Sequence, residues 1–277
     1  MVRTIRNWCD LNEKGKAPSS STLPWDTWAQ NARKLSSVLM GDGTGRAWVP
    51  EGLRGKVWDE HLNLIHKARV AMVRTLLPKG NHILDLGGAN CPLYKMGYPH
   101  HFSKLTLIDL APDRRHDLYK EVVVDSECSL GQVVLQYMDM TKLDVIDDES
   151  VDFAWSGQSI EHVSREDGAR MCREVYRVLR KGGAFCLDTP NRRITAIHTR
   201  SAGAGYIHPE HRIEYYPEEL MEVLKNAGFL IKASYGICEM PETLSTGEFH
   251  YEDFLIGRNI IDNVADGYIQ FYHCLKF

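Results

Sequence analysis

From residue 82 onward the chain alternates short apolar runs with amphipathic stretches, and this alternation restricts its fold more than any other feature. Strands are expected at about 82–86 ("HILDL"), 104–109 ("KLTLID"), 133–138 ("VVLQYM"), 151–155 ("VDFAW"), 183–188 ("GAFCLD"), 229–237 ("FLIKASYGI") and 268–275 ("YIQFYHCL"). Between them, residues 165–180 read as a helix, with Ser164 and Asp167 as its N-terminal cap and Gly182 as its stop. A second helix at 217–227 opens with Pro217, Glu218 and Glu219, which suit the positive end of a helix dipole. Upstream, Leu62, Ile65, Val70, Val73 and Leu77 recur at helical spacing until Pro78 and Gly80 intervene. Strands that alternate with helices pair in parallel, so the expected fold class is α/β, a doubly wound, seven-stranded, mostly parallel sheet. Ligands of such sheets sit beyond the carboxyl ends of the strands, beside the first one.

At that place the chain reads "DLGGANCP". A dinucleotide site needs Gly-x-Gly-x-x-Gly, because the pyrophosphate lies on exposed N–H groups of a helix N-terminus. Here the loop is Gly87, Gly88, Ala89, Asn90, Cys91 and Pro92, and Pro92 has no N–H to give. No Gly-Lys-Ser/Thr of a P-loop occurs. A nucleoside with a small charged tail fits these glycines better than a nicotinamide dinucleotide does.

Composition narrows the partners. With 33 Lys+Arg against 37 Asp+Glu, the formal charge of -4 gives no general attraction to a phosphate backbone, so nucleic acid is not expected. The seven cysteines are scattered without Cys-x-x-Cys pairs, which suits a reduced, cytoplasmic setting. No run approaches the roughly 20 apolar residues of a membrane span, and the first residues lack the apolar core of a signal peptide. Trp8, Trp25, Trp28, Trp48 and Trp58 crowd the first sixty residues, so residues 1–56 are expected to form a packed arm or an N-terminal helical cap ahead of one domain at 57–277.

Five segments in order, "ILDLGGANCP", "LTLIDLAPD", "YMDMTKLD", "VDFAWSGQSIEHV" and "EVYRVLRKGGAFCLDTPN", resemble class I S-adenosylmethionine-dependent methyltransferases of the small-molecule type. The resemblance covers roughly residues 57–235 and implies a Rossmann-like methyltransferase fold with S-adenosylmethionine as cofactor. The family's loop usually carries further glycines where Ala89 and Cys91 stand. By resemblance, Asp85, Gly87 and Gly88 lie by the methionine moiety. Asp109, with Leu110 beside it, grips the vicinal ribose hydroxyls, and Asp139 and Met140 meet the adenine. Ser156 and Gln158 border the methyl group.

The transfer itself needs an aligned acceptor and, for a hydroxyl, a base. His162, in "IEHV" after the fourth strand, is the first candidate; His208 and His211, in "YIHPEHRIEY", are the others. "SIEHV" also resembles a stretch of ubiquinone-pathway O-methyltransferases, where two glutamates and a histidine imply metal contacts. Gln158 stands at the first glutamate here, so no metal is expected there; His208, Glu210 and His211 are the other set that could bind one, but Pro209 keeps their segment extended and a fourth ligand is lacking. Arg192, Arg193 and Arg200 could together hold an anionic acceptor or simply form a solvated face. Long insertions at about 190–216 and 239–265 have the length of lids. The expected function is methyl transfer to a small-molecule acceptor, oxygen ahead of nitrogen. N-methylation of an amine and a non-catalytic S-adenosylmethionine-binding regulator remain as alternatives, and a homodimer is left open.

Overall fold

The computed structural model describes residues 51–115, 124, 128–200 and 205–277, with side chains from residue 60 onward. The chain divides into two units, Met1–Pro50 and Glu51–Phe277, and the fold described is that of the second. Residues 1–50 of the expected arm lie outside the described residues, whereas residues 51–56, expected in that arm, belong to the first helix of the second unit, as does Trp58. Among the described residues, no helix is long and apolar enough to cross a membrane.

Helix α1 (Glu51–Leu76) leads into β1 (His82–Leu86), as the breakers Pro78 and Gly80 require. Its buried stripe runs through Ala68, Met72 and Val73, whereas Leu62, expected on that stripe, is 68% exposed. Then follow β2 (Lys104–Asp109), β3 (Gln132–Tyr137), β4 (Val151–Gly157), a 3-10 turn at Ile160–His162, α2 (Arg165–Val178) and β5 (Leu179–Pro190). After α3 (Arg192–Arg200) and α4 (Pro217–Asn226) come β6 (Leu230–Glu239), α5 (Pro241–Thr246), α6 (Asp253–Ile256), β7 (Ile260–Ile261) and β8 (Gly267–Leu275).

Local chemistry explains the ends of these elements. Ser164 Oγ accepts the Asp167 N–H at 3.1 Å and donates to the Asp167 carboxylate, satisfying an orphan donor of α2. Helix α4 opens on Pro217, and the Glu219 side chain accepts the N–H of Tyr216 at 3.0 Å. Gly182 does not stop α2. The helix ends at Val178, and Leu179, already extended, starts β5 directly. Gly182 takes φ +72 inside that strand, where its register against β4 shifts, a bulge that the left-handed conformation of glycine permits.

The strands form one sheet in the order β3-β2-β1-β4-β5-β8-β6-β7. β1 to β5 run parallel, while β8 lies antiparallel between β5 and β6. Seven strands are those the alternation predicts; the eighth, β7, is a two-residue edge pair on β6, too short to leave a period in sequence. Successive residues of β1 face opposite layers: Ile83 packs with Met72 and Val73 of α1, whereas Leu84 and Leu86 pack with Met171 and Val175 of α2 and Leu220 and Leu224 of α4. Burying each such side chain contributes about 1.5–3 kcal/mol. Two apolar layers thus hold the carboxyl ends of β1 to β5 at one rim.

Candidate active site

The first part of that rim is a cradle after β1. Asp85 is 1% exposed and accepts the Leu93 N–H at 2.7 Å. Burial pushes its carboxyl up to about 7, with the Leu93 hydrogen bond opposing. A Cβ on Gly88 would come within 2.3 Å of the Asp85 carboxyl carbon, and one on Gly87, at φ +78, within 2.5 Å of Ser159 Oγ. Both glycines therefore answer to packing beneath the loop as well as to any ligand above it. At the end of β2, Asp109 Oδ2 accepts the Ala89 N–H at 3.1 Å and Oδ1 the Leu110 N–H at 2.8 Å. Arg115 lies against both Asp109 and Asn90. Burial raises the Asp109 carboxyl, and Arg115 and the two amides pull it back. Asp139, after β3, is exposed and closes a turn by accepting the N–H and hydroxyl of Thr141 at 2.9 and 2.8 Å; Met140 is half-buried beside it.

The second part is the β4–β5 junction. Ser156 is fully buried next to Leu86 of β1 in the sheet register. Gln158 adopts φ +56, and its N–H is held by the Asp188 carbonyl at 2.9 Å and the Asp188 carboxylate at 3.1 Å. That carboxylate, at the end of β5, is fully buried and receives two bonds from the Arg69 guanidinium of α1, at 2.5 and 3.0 Å. Burial acts to lower the Arg69 pKa, but Asp188 outweighs it and the net shift is upward. Neither member of this pair was anticipated; a lone arginine between Ala68 and Val70 on a half-buried helix face was the available signal.

The third part gathers the histidines. Glu161 is fully buried in the 3-10 turn, with Oε2 accepting from Thr189 Oγ1 at 2.8 Å. Its carboxyl is raised to about 7 by burial, against the pull of His211. The loop before α4 folds over this turn because the N–H groups of Arg212 and Ile213 both donate to the Glu161 carbonyl. Rings of His162 and His211 meet edge to face at 5.1 Å, and His208 stands 5.4 Å from His211 and 6.1 Å from His162. Burial, with its two histidine neighbours, lowers His162 to about 4, so the imidazole is neutral at physiological pH. His211 Nδ1 lies 2.8 Å from Glu214 Oε1. Glu214 is itself buried and accepts from Thr195, Arg192 and the Ile207 N–H. Burial would raise Glu214, but the bonds from His211 and Thr195 prevail and hold it below the usual carboxylate range. With a carboxylate on Nδ1, the neutral tautomer of His211 carries its lone pair on Nε2. Glu214 escaped the sequence reading although the His-x-x-Glu spacing announces it. The ligand atoms of Glu161, His162 and His211 all lie within 4.8 Å of one another.

The structure thus brings His162, His208 and His211 together. It does not unite the three arginines: Arg192 turns to Glu214 and Arg193 to Glu218, while Arg200 sits at the far end of α3. A further histidine, His198, was not anticipated. It bonds the hydroxyls of Tyr251 and Tyr268, both at 2.8 Å, and stacks on Phe249 at 3.8 Å, fastening the 239–265 insertion to α3 and β8.

Residues 84–187 match the family model described as methyltransferase domain. The match runs from β1 into β5 and likens that segment to a methyltransferase domain. A protein of Mycolicibacterium smegmatis named as a probable S-adenosylmethionine-dependent methyltransferase is 40% identical over 90 residues, 32% of this chain and 33% of its own. One of Mycobacterium tuberculosis with the same description is 37% identical over 115 residues, 42% of this chain and 38% of its own. The chain spans about a third of the length of the curated relatives it matches. An S-adenosylmethionine-dependent methyltransferase structure from Thermotoga maritima, 20% identical, superposes with a TM-score of 0.53 over 81% of this chain and 98% of that one, a likeness of fold.

Likeness to S-adenosylmethionine-dependent methyltransferases implies that cofactor, and the residues present fit it. Arg115 Nη1, Ser156 Oγ and Gln158 Nε2 are buried without a hydrogen-bond partner among the described residues. Buried polar atoms are nearly always bonded, so the rim calls for a polar ligand where these atoms stand. A nucleoside joined to an amino acid supplies such groups over the glycine cradle.

Proposed function

We propose that the chain transfers a methyl group from S-adenosylmethionine to a hydroxyl oxygen of a small-molecule acceptor. The observation that carries this reading is the cluster of buried Glu161 and Glu214 with half-buried His162 and His211, at the rim that also bears the glycine cradle. In this reading Asp85, Gly87 and Gly88 receive the amino-acid part of the cofactor, Asp109 and Leu110 the ribose, and Asp139 and Met140 the adenine. Ser156 and Gln158 border the methyl group. Bound there, the cofactor supplies a methyl already electrophilic on a sulfonium, so the protein's work is alignment and proton removal.

The cluster draws the proton from the acceptor hydroxyl as the new C–O bond forms and the S–C bond breaks. His211 is the residue on which this depends, because Glu214 fixes its tautomer and ring plane. His162 and His208 line the same space and position the acceptor. In this reading the loop before α4, held on the Glu161 carbonyl by Arg212 and Ile213, borders the acceptor, which favours a small molecule over a polymer.

The test begins with calorimetric titration of S-adenosylmethionine, S-adenosylhomocysteine and NAD, followed by an acceptor screen that reads S-adenosylhomocysteine release. Asp109→Ala should weaken the first two ligands, and an unchanged affinity would refute the cofactor assignment. His211→Ala should lower kcat by about 10²–10⁴-fold without altering cofactor affinity. Near-normal turnover of a hydroxyl acceptor by that variant would end the assignment of His211 as the group that takes the proton, and failure of every hydroxyl acceptor with the wild-type chain would end the O-methylation reading. An amine that turns over equally in both proteins would favour N-methylation instead.

A further inference from the structure

The side chains of Glu161, His162 and His211 come from two segments fifty residues apart, yet their ligand atoms converge within 4.8 Å. For bonds of about 2.0–2.2 Å, two donors on opposite sides of an ion are at most about 4.4 Å apart, so small side-chain rotations bring all three into range. The convergence has the supports that metal sites use. Glu161 is fully buried, Thr189 holds its Oε2, and its Oε1 has no hydrogen-bond partner among the described residues. A buried carboxylate oxygen with no donor is costly in a protein and is relieved by a cation. His211 is backed on Nδ1 by the Glu214 carboxylate at 2.8 Å, the carboxylate–histidine arrangement that orients an imidazole and leaves Nε2 for a metal. Glu214 is in turn fixed by Thr195, Arg192 and the Ile207 N–H.

We propose that Glu161, His162 and His211 bind a divalent transition-metal ion beside the methyl-transfer site. One carboxylate and two imidazoles suit zinc, cobalt or nickel, whereas magnesium and calcium prefer sets made of oxygens. The set is distinct from a pair of glutamates in one segment: Gln158 offers no carboxylate, and the third ligand arrives from the loop before α4. His208 stays outside it, its Nδ1 taking the Glu210 N–H at 3.2 Å. The proposal rests on the reading of this cluster as facing the acceptor. With Nε2 of His211 on the ion, a hydroxyl bound as a further ligand would be made acidic by the ion and would release its proton to water as the methyl is transferred, so the ion would take over the proton-removing task given to His211 above.

The test uses untagged full-length protein, freed of metal with a chelator, and Co²⁺ as the probe. One Co²⁺ per chain should bind, with visible absorption bands of low-coordinate cobalt and little response to Mg²⁺. His211→Ala and Glu161→Gln should each weaken Co²⁺ binding by more than tenfold, and Glu214→Gln, which keeps all three ligands, by about 10–100-fold. No stoichiometric Co²⁺ uptake overturns the proposal, as does uptake unchanged in both His211→Ala and Glu161→Gln. A measurement on the wild-type chain guards against variants that fail to fold: bound Co²⁺ should broaden the ring signals of His162 and His211 and leave those of His82 sharp, and the reverse pattern refutes the site. S-adenosylhomocysteine titrated into the same metal-free protein reads the cofactor site by itself. If it binds and Co²⁺ does not, the metal fails and the methyltransferase reading survives; the opposite result spares the metal and removes the reading.

Discussion

Asp85 and Gly88 form one unit, since the carboxyl of the first occupies the space that any side chain on the second would need. Burial favours the neutral acid, so the pKa rises from an ordinary carboxylate value to about 7 on folding. The folded chain therefore holds a proton that the unfolded chain releases, and the stability this contributes is complete below about pH 4 and lost as pH rises through about 7. Asp85→Asn keeps an oxygen for the Leu93 N–H and has no proton to lose. Between pH 5 and pH 8 the ligand-free wild type should lose up to about 3 kcal/mol relative to this variant, at about 1.4 kcal/mol for each pH unit of the window. Urea denaturation at the two pH values measures the difference, and one that does not vary with pH would mean Asp85 stays ionised. Among single residues, those set by local pattern were legible: Gly87 and Gly88 follow β1, Asp109 ends β2, and all three stand where chemistry is expected. Glu214, Asp188 and Arg69 act through partners 3, 119 and 119 positions away, and the two distant ones leave no local trace. Glu214, at i,i+3 from His211, could have been found.

Between elements, the bond of α1 to β5 is the one whose loss reaches the site. Arg69 and Asp188 join these elements by two hydrogen bonds, and the same carboxylate holds the Gln158 turn. Arg69→Leu leaves a buried carboxylate without its cation and should destabilise the protein by about 3–5 kcal/mol. Adding Asp188→Asn should return a large part of that loss, so the two changes are strongly non-additive in chemical denaturation; additive effects would show that the pair is not coupled. Elements were legible where the apolar period was long. β1 and β2 fall on the expected residues, because they are continuous apolar runs ending in turn signals. β5 begins four residues earlier than expected, since Leu179 extends straight from α2 and the glycines after it bulge rather than terminate. The short helices α5 and α6 and strand β7 depend on packing by Phe249, Phe254 and Tyr268, not on any period of their own.

For the whole unit, the fit of the rim to a nucleoside–amino-acid ligand makes a thermal prediction. S-adenosylhomocysteine at 100 times its Kd should add about 2.7 kcal/mol to stability, a rise in Tm of about 5–10 °C for a unit of this size. NAD at the same concentration should leave Tm unchanged. Calorimetry of the purified chain decides, and a shift with NAD alone would mean that the glycine cradle serves a dinucleotide. The fold class was readable because alternation of strand and helix is a property of the whole chain. The make-up of the histidine cluster was not, because it is assembled from the turn after β4, the loop before α4 and the end of β5.

The place of β8 has a consequence for how the chain is made. It is the last strand in sequence, yet it lies inside the sheet, and no ladder joins β5 to β6 without it. As the polypeptide leaves the ribosome, β1 to β5 can pair in order of synthesis, but β6 and β7 must wait, apolar faces uncovered, until residues 267–275 emerge and slide between them and β5. A ribosome that stops short of residue 267 therefore releases two sheet fragments rather than a slightly narrower sheet.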